Sequence, residues 1–171
     1  MTALENLYTR RSVRSFLPGQ ISEDELEAIL KAGVYAPSAM NKQSAIIVAV
    51  QNRDDIAALS KINAEIWGSD SDPFYGAPTV LVVLAAAGEK NAVQDGSLVM
   101  GNLMNAAHAL GLGSCWVNRA RETFDMPAGK ALLKKWGVEG DYIGVGNCVV
   151  GYTDAAPQPK PRKENYVYYI R

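Results

Sequence analysis

The chain has 171 residues, 48% of them hydrophobic and 20% charged, with a formal net charge of −1. That length suits one ordinary domain with a real core, and that apolar fraction excludes an intrinsically disordered chain. The near balance of acids and bases, with a pI of about 5.8, argues against general nucleic-acid binding.

The start of the chain, MTALENLYTRR, lacks the apolar stretch of a signal peptide, and the most apolar segment, TVLVVLAAAG, is far too short to cross a bilayer. A cytoplasmic protein with no membrane and no nucleic-acid partner is the expectation. Cys115 and Cys148 stand far apart and, with the single histidine, His108, make no recognisable zinc site. Both thiols are expected to be buried and reduced, and His108 to be a structural residue of a buried helix.

Leu4, Leu7 and Tyr8 recur at helical spacing and predict a first helix ending near the arginines that follow. ISEDELEAILKAG predicts a second, with Ser22 as cap, Glu25 closing a capping box, Leu26, Ile29 and Leu30 facing inward, and Gly33 ending it. YAPSAMNKQSA is a polar loop that feeds a buried strand, AIIVAV. Asn52 or Asp54 opens a third helix with Ile56, Leu59, Ile62 and Ile66 on its buried face, and Trp67, Phe74 and Tyr75 fall in an irregular stretch after it. APTVLVVLAAA reads as a central strand, apolar on both faces.

The longest helical pattern runs from Asn91 to Leu110, with Val93, Val99, Met100, Leu103, Met104 and Ala107 at its apolar positions. Its small residues suit either a central core helix or a subunit interface. GLGSCWVN turns into a strand, a short helix spans Ala128 to Trp136, and YIGVGNCVVGY forms the last core strand, its glycines marking close backbone approach. From Thr153 the chain is proline-rich and extended. It ends in NYVYYIR, which has strand composition and no hairpin partner, and so is a candidate for pairing with the sheet edge of another chain. The expected organisation is one domain, 1–171, with an extended arm over 153–171.

Several chemistries are excluded by what the sequence lacks. Neither GLGSCW nor GVGNCV completes a dinucleotide fingerprint, and there is no Walker A loop, no GxSxG elbow and no paired His-Glu metal motif. Two basic clusters remain: Arg10, Arg11 and Arg14 within YTRRSVRSF, and Lys160, Arg162 and Lys163 within PKPRK. Singly, each reads equally well as solvated surface charge. Val13 and Phe16 anchor the first to the core, however, and prolines stiffen the second. Two rigid basic elements from opposite chain ends suit a small dianion such as a phosphate monoester, with Ser12 adding a hydroxyl donor.

RRSVRSF, APSAMNKQ, APTVLVV, GLGSCWVN and PKPRK occur in the order found in nitroreductase-family flavoproteins, and the resemblance covers nearly the whole chain. It implies an α+β fold, with a central, mainly antiparallel sheet flanked by helices and a C-terminal strand exchanged in an intertwined homodimer. It also implies bound FMN, NAD(P)H as a transient hydride donor, and a small electron-poor acceptor such as a nitroaromatic or quinone, reduced in a ping-pong cycle. By position, Arg10 and Ser12 match phosphate-binding residues, and Lys160 and Arg162 match the basic pair that closes on the same phosphate. Arg11 matches a position that faces the cofactor in some members.

Arg14 matches a basic residue beside the flavin's pyrimidine edge, where a fixed cation favours hydride acceptance and lysine should replace it better than alanine. Pro37, Ser38, Asn41 and Gln43 resemble the loop that reaches the flavin from the partner subunit, although Ser44 and Ala45 depart from the proline and large aromatic frequent there. Trp116, Val117 and Asn118 resemble the segment along the N5 side of the ring. No side chain is expected to act as nucleophile or metal ligand; Arg14 and Asn118 tune or orient the flavin. Trp67, Phe74 and Tyr75 are candidates for the entrance over the ring. A flavin-binding module without turnover and a reductase specialised for one metabolite are the alternative readings. Outside the family, the alternative is a plain α/β domain that binds a phosphorylated metabolite.

Overall fold

The computed structural model describes residues 1–171. Four strands, β1 (Ala45–Val50), β2 (Thr79–Ala86), β3 (Gly113–Val117) and β4 (Tyr142–Gly151), form one sheet in the order β1-β2-β4-β3, antiparallel at every pairing. The β-branched run of β2 sits next to the centre, and its side chains from Val80 to Ala85 are completely buried. A strand buried on both faces needs a layer of helices on each side. On one face lie α1 (Ala3–Thr9), α2 (Glu23–Val34) and α4 (Ala92–Ala109); on the other lie α3 (Arg53–Trp67), α5 (Ala120–Asp125) and α6 (Pro127–Lys135). The α+β architecture with an antiparallel sheet agrees with the sequence reading. No helix is long and apolar enough to cross a membrane.

The caps follow the sequence. Ser22 and Glu25 form the reciprocal box of α2, and the Asn52 side chain accepts from the Asp54 and Asp55 amides to start α3. Tyr152 then donates to Glu25 at 2.7 Å, tying the start of α2 to the end of β4.

Several expectations are corrected. Gly33 does not end its helix: α2 continues through Val34, and Gly33 is buried in its last turn, where a Cβ would fall 2.7 Å from both Ile47 Cδ1 and Leu103 Cδ2. Its small size, not a left-handed cap, is what the fold uses. Val93 is 52% exposed, because it lies on the outward side of the first turn of α4, whose Ala92, Asp95 and Gly96 face inward and are buried. Trp67 is the last residue of α3 and lies outside the irregular stretch, whereas Phe74 is fully buried in the core beneath α3 and cannot line an entrance. The helix α5, six residues long, is too short to show a period in the sequence. NYVYYIR forms no strand within its own chain and is exposed throughout.

The glycines of β4 do mark close approach, and a bulge explains why they serve opposite faces. The pairing with β2 slips by one residue between Val83 and Leu84, so Val145 is extra. Gly144 consequently faces α5, where any Cβ would overlap the Ala120 carbonyl, while Gly146 faces α4 beneath the Trp116 indole.

Candidate cofactor site

The first basic segment is stitched to the outer edge of β3. Val13 is buried and its N–H donates to Ser114 O at 2.9 Å, with Ser12 and Ser114 bridged in parallel. Further along, Leu17 N–H donates to Tyr152 O at 2.8 Å, and Thr153 Oγ1 donates to Ser15 O at 2.8 Å. Segment 10–17 is therefore held by two regions that come much later in the chain, β3 and the root of the C-terminal arm.

Within this frame the arginines divide their roles. Arg11 Nη1 donates to the Tyr8 and Arg10 carbonyls, both at 2.8 Å, and so closes the end of α1. Arg10 caps α1 and is half-buried, and its Nη1 is buried with no hydrogen-bond partner. Ser12 is half-buried and Arg14 exposed. His108 lies beneath them at the end of α4. Thr9 Oγ1 gives its proton to Glu5 O, so the 2.9 Å contact with His108 Nε2 has the ring donating. Burial, then the charges of Arg10 and Arg11, hold the imidazole pKa below its ordinary value, so it stays neutral. Cys115 and Cys148 are buried and free. Burial pushes the Cys148 thiol up to about 12, with Cys115 adding to the rise and Arg10 opposing it.

Beyond Ser114 the outer edge of β3 is uncovered. Carbonyl and amide groups alternate in direction along a strand. Ser114 O points outward to Val13 and Val117 O inward to the Asn147 side chain, so the Trp116 N–H also points outward. The N–H groups of Asn118 and Arg119 find no acceptor in the chain. Trp116 is half-buried over Gly146 and beside Met100, Val117 is buried on the opposite face, and Asn118 is exposed. Arg119 follows with φ 71° and ψ 13°, its guanidinium 5.1 Å from the centre of the Trp67 ring.

The loop carrying Pro37, Ser38, Asn41 and Gln43 is built separately. Met40, Asn41 and Gln43 all have positive φ, with a 3₁₀ turn over Ala39–Asn41. Ser38 Oγ accepts from Gln43 N–H at 3.0 Å, and Gln43 Nε2 donates to Asn41 Oδ1 at 3.2 Å. The buried carboxylate of Asp95 anchors the loop by accepting from Ala39 N–H at 2.9 Å and from Ser44 Oγ at 3.2 Å. Asp95 starts α4 and His108 ends it. At about 1.5 Å of rise per residue the loop and the arginines are about 20 Å apart along that helix.

The structure thus brings Arg10, Arg11 and Ser12 together with the Trp116–Asn118 edge, and sets the loop apart from them. Lys160 and Arg162 lie on the exposed arm and make no side-chain hydrogen bond or ion pair within the chain. A cavity of about 740 Å³ between α3 and the 69–78 loop contains none of the predicted residues. Asp95, Asn63 and Arg119 were missed by sequence reasoning. Asp and Asn inside helices carry no positional signal, and a left-handed arginine announces itself only in the backbone.

This arrangement is an antiparallel α+β fold with a basic, hydrogen-bond-rich sheet edge. The model of the nitroreductase family matches residues 7–73 and 64–152, and the chain belongs to that family. A protein of Archaeoglobus fulgidus with the provisional name NADH dehydrogenase/NAD(P)H nitroreductase is 31% identical over 166 residues, 95% of this chain and 88% of that one. The crystal structure of a nitroreductase with bound FMN from Bacteroides fragilis superposes with a TM-score of 0.91 at 31% identity, covering 99% of this chain and 98% of the other. A nitroreductase with bound FMN from Desulfitobacterium hafniense shares the fold with a TM-score of 0.89 at 22% identity, over 99% of this chain and 98% of that one.

Proposed function

We propose that the protein is an FMN-dependent oxidoreductase that takes hydride from NADH or NADPH and delivers it to a nitroaromatic, a quinone or a related electron-poor acceptor. The observation that carries this reading is the buried Arg10 Nη1 without a partner. A buried guanidinium donor left unpaired is costly, and a phosphate oxygen satisfies it. Ser12 adds a hydroxyl beside it, and neutral His108 leaves the pocket's positive charge to the arginines.

Bound FMN supplies reversible hydride acceptance at its ring, which no side chain here offers. The chain's own part is to hold and orient. Arg10 and Ser12 bind the phosphate end, and the outward N–H groups along Trp116–Arg119 meet the ring edge further along the same strand. Arg14 places a cation beside the ring, and Lys160 and Arg162 close over the phosphate. A hydride donor and an acceptor would use one site in turn beside the flavin these residues would hold, so no dinucleotide-binding motif is required.

The reading also includes a homodimer. The Pro37–Gln43 loop stands too far along α4 to reach the same ring as Arg10 within one chain, so a second copy supplies it. Leu4, Leu7 and Tyr8 of α1 and Tyr35 beyond α2 are exposed, beside a groove of about 520 Å³ shared with α4. Apolar surface of this extent needs a cover. The outer edge of β1 is unpaired and apolar, a liability that the tail of another copy removes by adding a strand.

Purified protein is expected to be yellow, to bleach when NADH or NADPH is added under nitrogen, and to recover its colour on addition of a quinone or nitroaromatic. Protein that stays colourless after incubation with FMN refutes the reading. Flavin that binds without exchanging electrons with either nucleotide makes the protein a binding module instead.

A further inference from the structure

Asn63 is wholly buried on α3 among apolar side chains, yet only half of its amide is used. Its Nδ2 donates to Asn118 O at 2.8 Å, and its Oδ1 has no partner. A buried amide with an orphaned acceptor is a poorer core residue than a leucine of similar shape, so packing does not account for it. The bond it makes lands on the peptide joining Asn118 to Arg119. That peptide leads into the left-handed arginine, whose side chain stacks on Trp67, one turn beyond Asn63 on the same helix face. One face of α3 therefore grips this peptide twice, by its carbonyl and by the side chain that follows. A non-glycine residue persists in the left-handed region only where its surroundings over-determine it. The N–H groups of Asn118 and Arg119, on either side of the gripped carbonyl, are the free donors at the end of the β3 edge.

We infer that Asn63 is a positioning residue: with Trp67 it latches the Asn118–Arg119 peptide so that the neighbouring free N–H groups keep one orientation toward the reactant bound at the sheet edge. The consequence for hydride transfer rests on the proposed function; the latch itself does not.

The test compares Asn63→Leu and Asn63→Gln with the unmodified protein. In Asn63→Leu, with FMN removed, the backbone N–H order parameters of Asn118 and Arg119 are expected to fall from about 0.85 to below about 0.6 while those of Leu81–Val83 stay unchanged. The melting temperature should not fall, since an orphaned polar atom has been replaced by an apolar one. With FMN restored, retention should stay within about twofold, and flavin reduction at saturating NADH should slow roughly tenfold with no change in the half-saturating NADH concentration. Asn63→Gln, which keeps the donor, should recover part of both effects. Unchanged order parameters at the two amides overturn the latch, and an unchanged reduction rate in folded Asn63→Leu overturns its consequence for hydride transfer. Should that variant not fold, Trp67→Leu, at the half-exposed helix end, must lower the order parameter at Arg119 or the inference fails. If the unmodified protein holds no flavin, the proposed function falls and the order-parameter measurement alone decides the latch.

Discussion

Arg10 and Arg11 are adjacent, equally charged and opposite in use. The guanidinium of Arg11 spends its donors on the last carbonyls of α1, whereas Arg10 keeps a buried Nη1 free. Replacing each by alanine separates the two roles. Arg10→Ala should weaken FMN binding about 10- to 100-fold in a fluorescence titration, the loss of one or more charge-assisted hydrogen bonds. Arg11→Ala should act mainly by fraying α1, and Arg53→Ala, on the far face, should change nothing. Equal affinity in the Arg10 variant would remove the phosphate assignment. His108 gives a pH signature at the same spot. Its folded pKa is lowered, so the unfolded chain takes up a proton first, and the stability it contributes is present above the ordinary value of 6.5 and lost as pH falls below it. Melting curves of FMN-free protein should therefore drop more steeply between about pH 7 and 5.5 than those of His108→Gln.

At the scale of elements, the loop and the bulged strand are each held by one residue. Asp95→Ala removes the buried acceptor of Ala39 N–H and Ser44 Oγ and leaves three positive-φ residues without their anchor. Urea unfolding should show a loss of about 2–3 kcal/mol, with faster proteolysis confined to residues 36–44. Cleavage spread over the whole chain would mean that Asp95 supports α4 rather than the loop. Gly144→Ala tests the bulge. Its Cβ would overlap the Ala120 backbone carbonyl, which belongs to a helix start and cannot swing aside, so destabilisation of at least about 3 kcal/mol is expected by calorimetry. The same change at Gly101, which has open space, should cost little.

The whole molecule leaves its C-terminal arm unpaired. Tyr166, Val167, Tyr168, Tyr169 and Ile170 are all exposed, Ile170 by 95%, which one chain alone gives no reason for. Removing residues 165–171 should shift sedimentation from dimer toward monomer and lower the melting temperature at dilute protein. An unaltered dimer would place the association surface on α1, α2 and α4 alone, and the arm would need another partner.

The sequence by itself determined the local elements. Capping boxes, the 3.6-residue stripes of α2 and α3, and the doubly apolar run of β2 are near-neighbour effects, written in adjacent residues, and the positions of the basic clusters and of GLGSCWVN are legible for the same reason. Tertiary structure alone decided the rest. It made Gly33 a packing residue instead of a stop, buried Phe74, turned Gly144 and Gly146 to opposite faces by one extra residue, and set Asn63 and Asp95 as anchors of segments far away in the chain. Each of these depends on which backbone lies against which. Close approach, orphaned donors and left-handed turns are properties of two segments meeting, and no single stretch of sequence carries both sides of that contact.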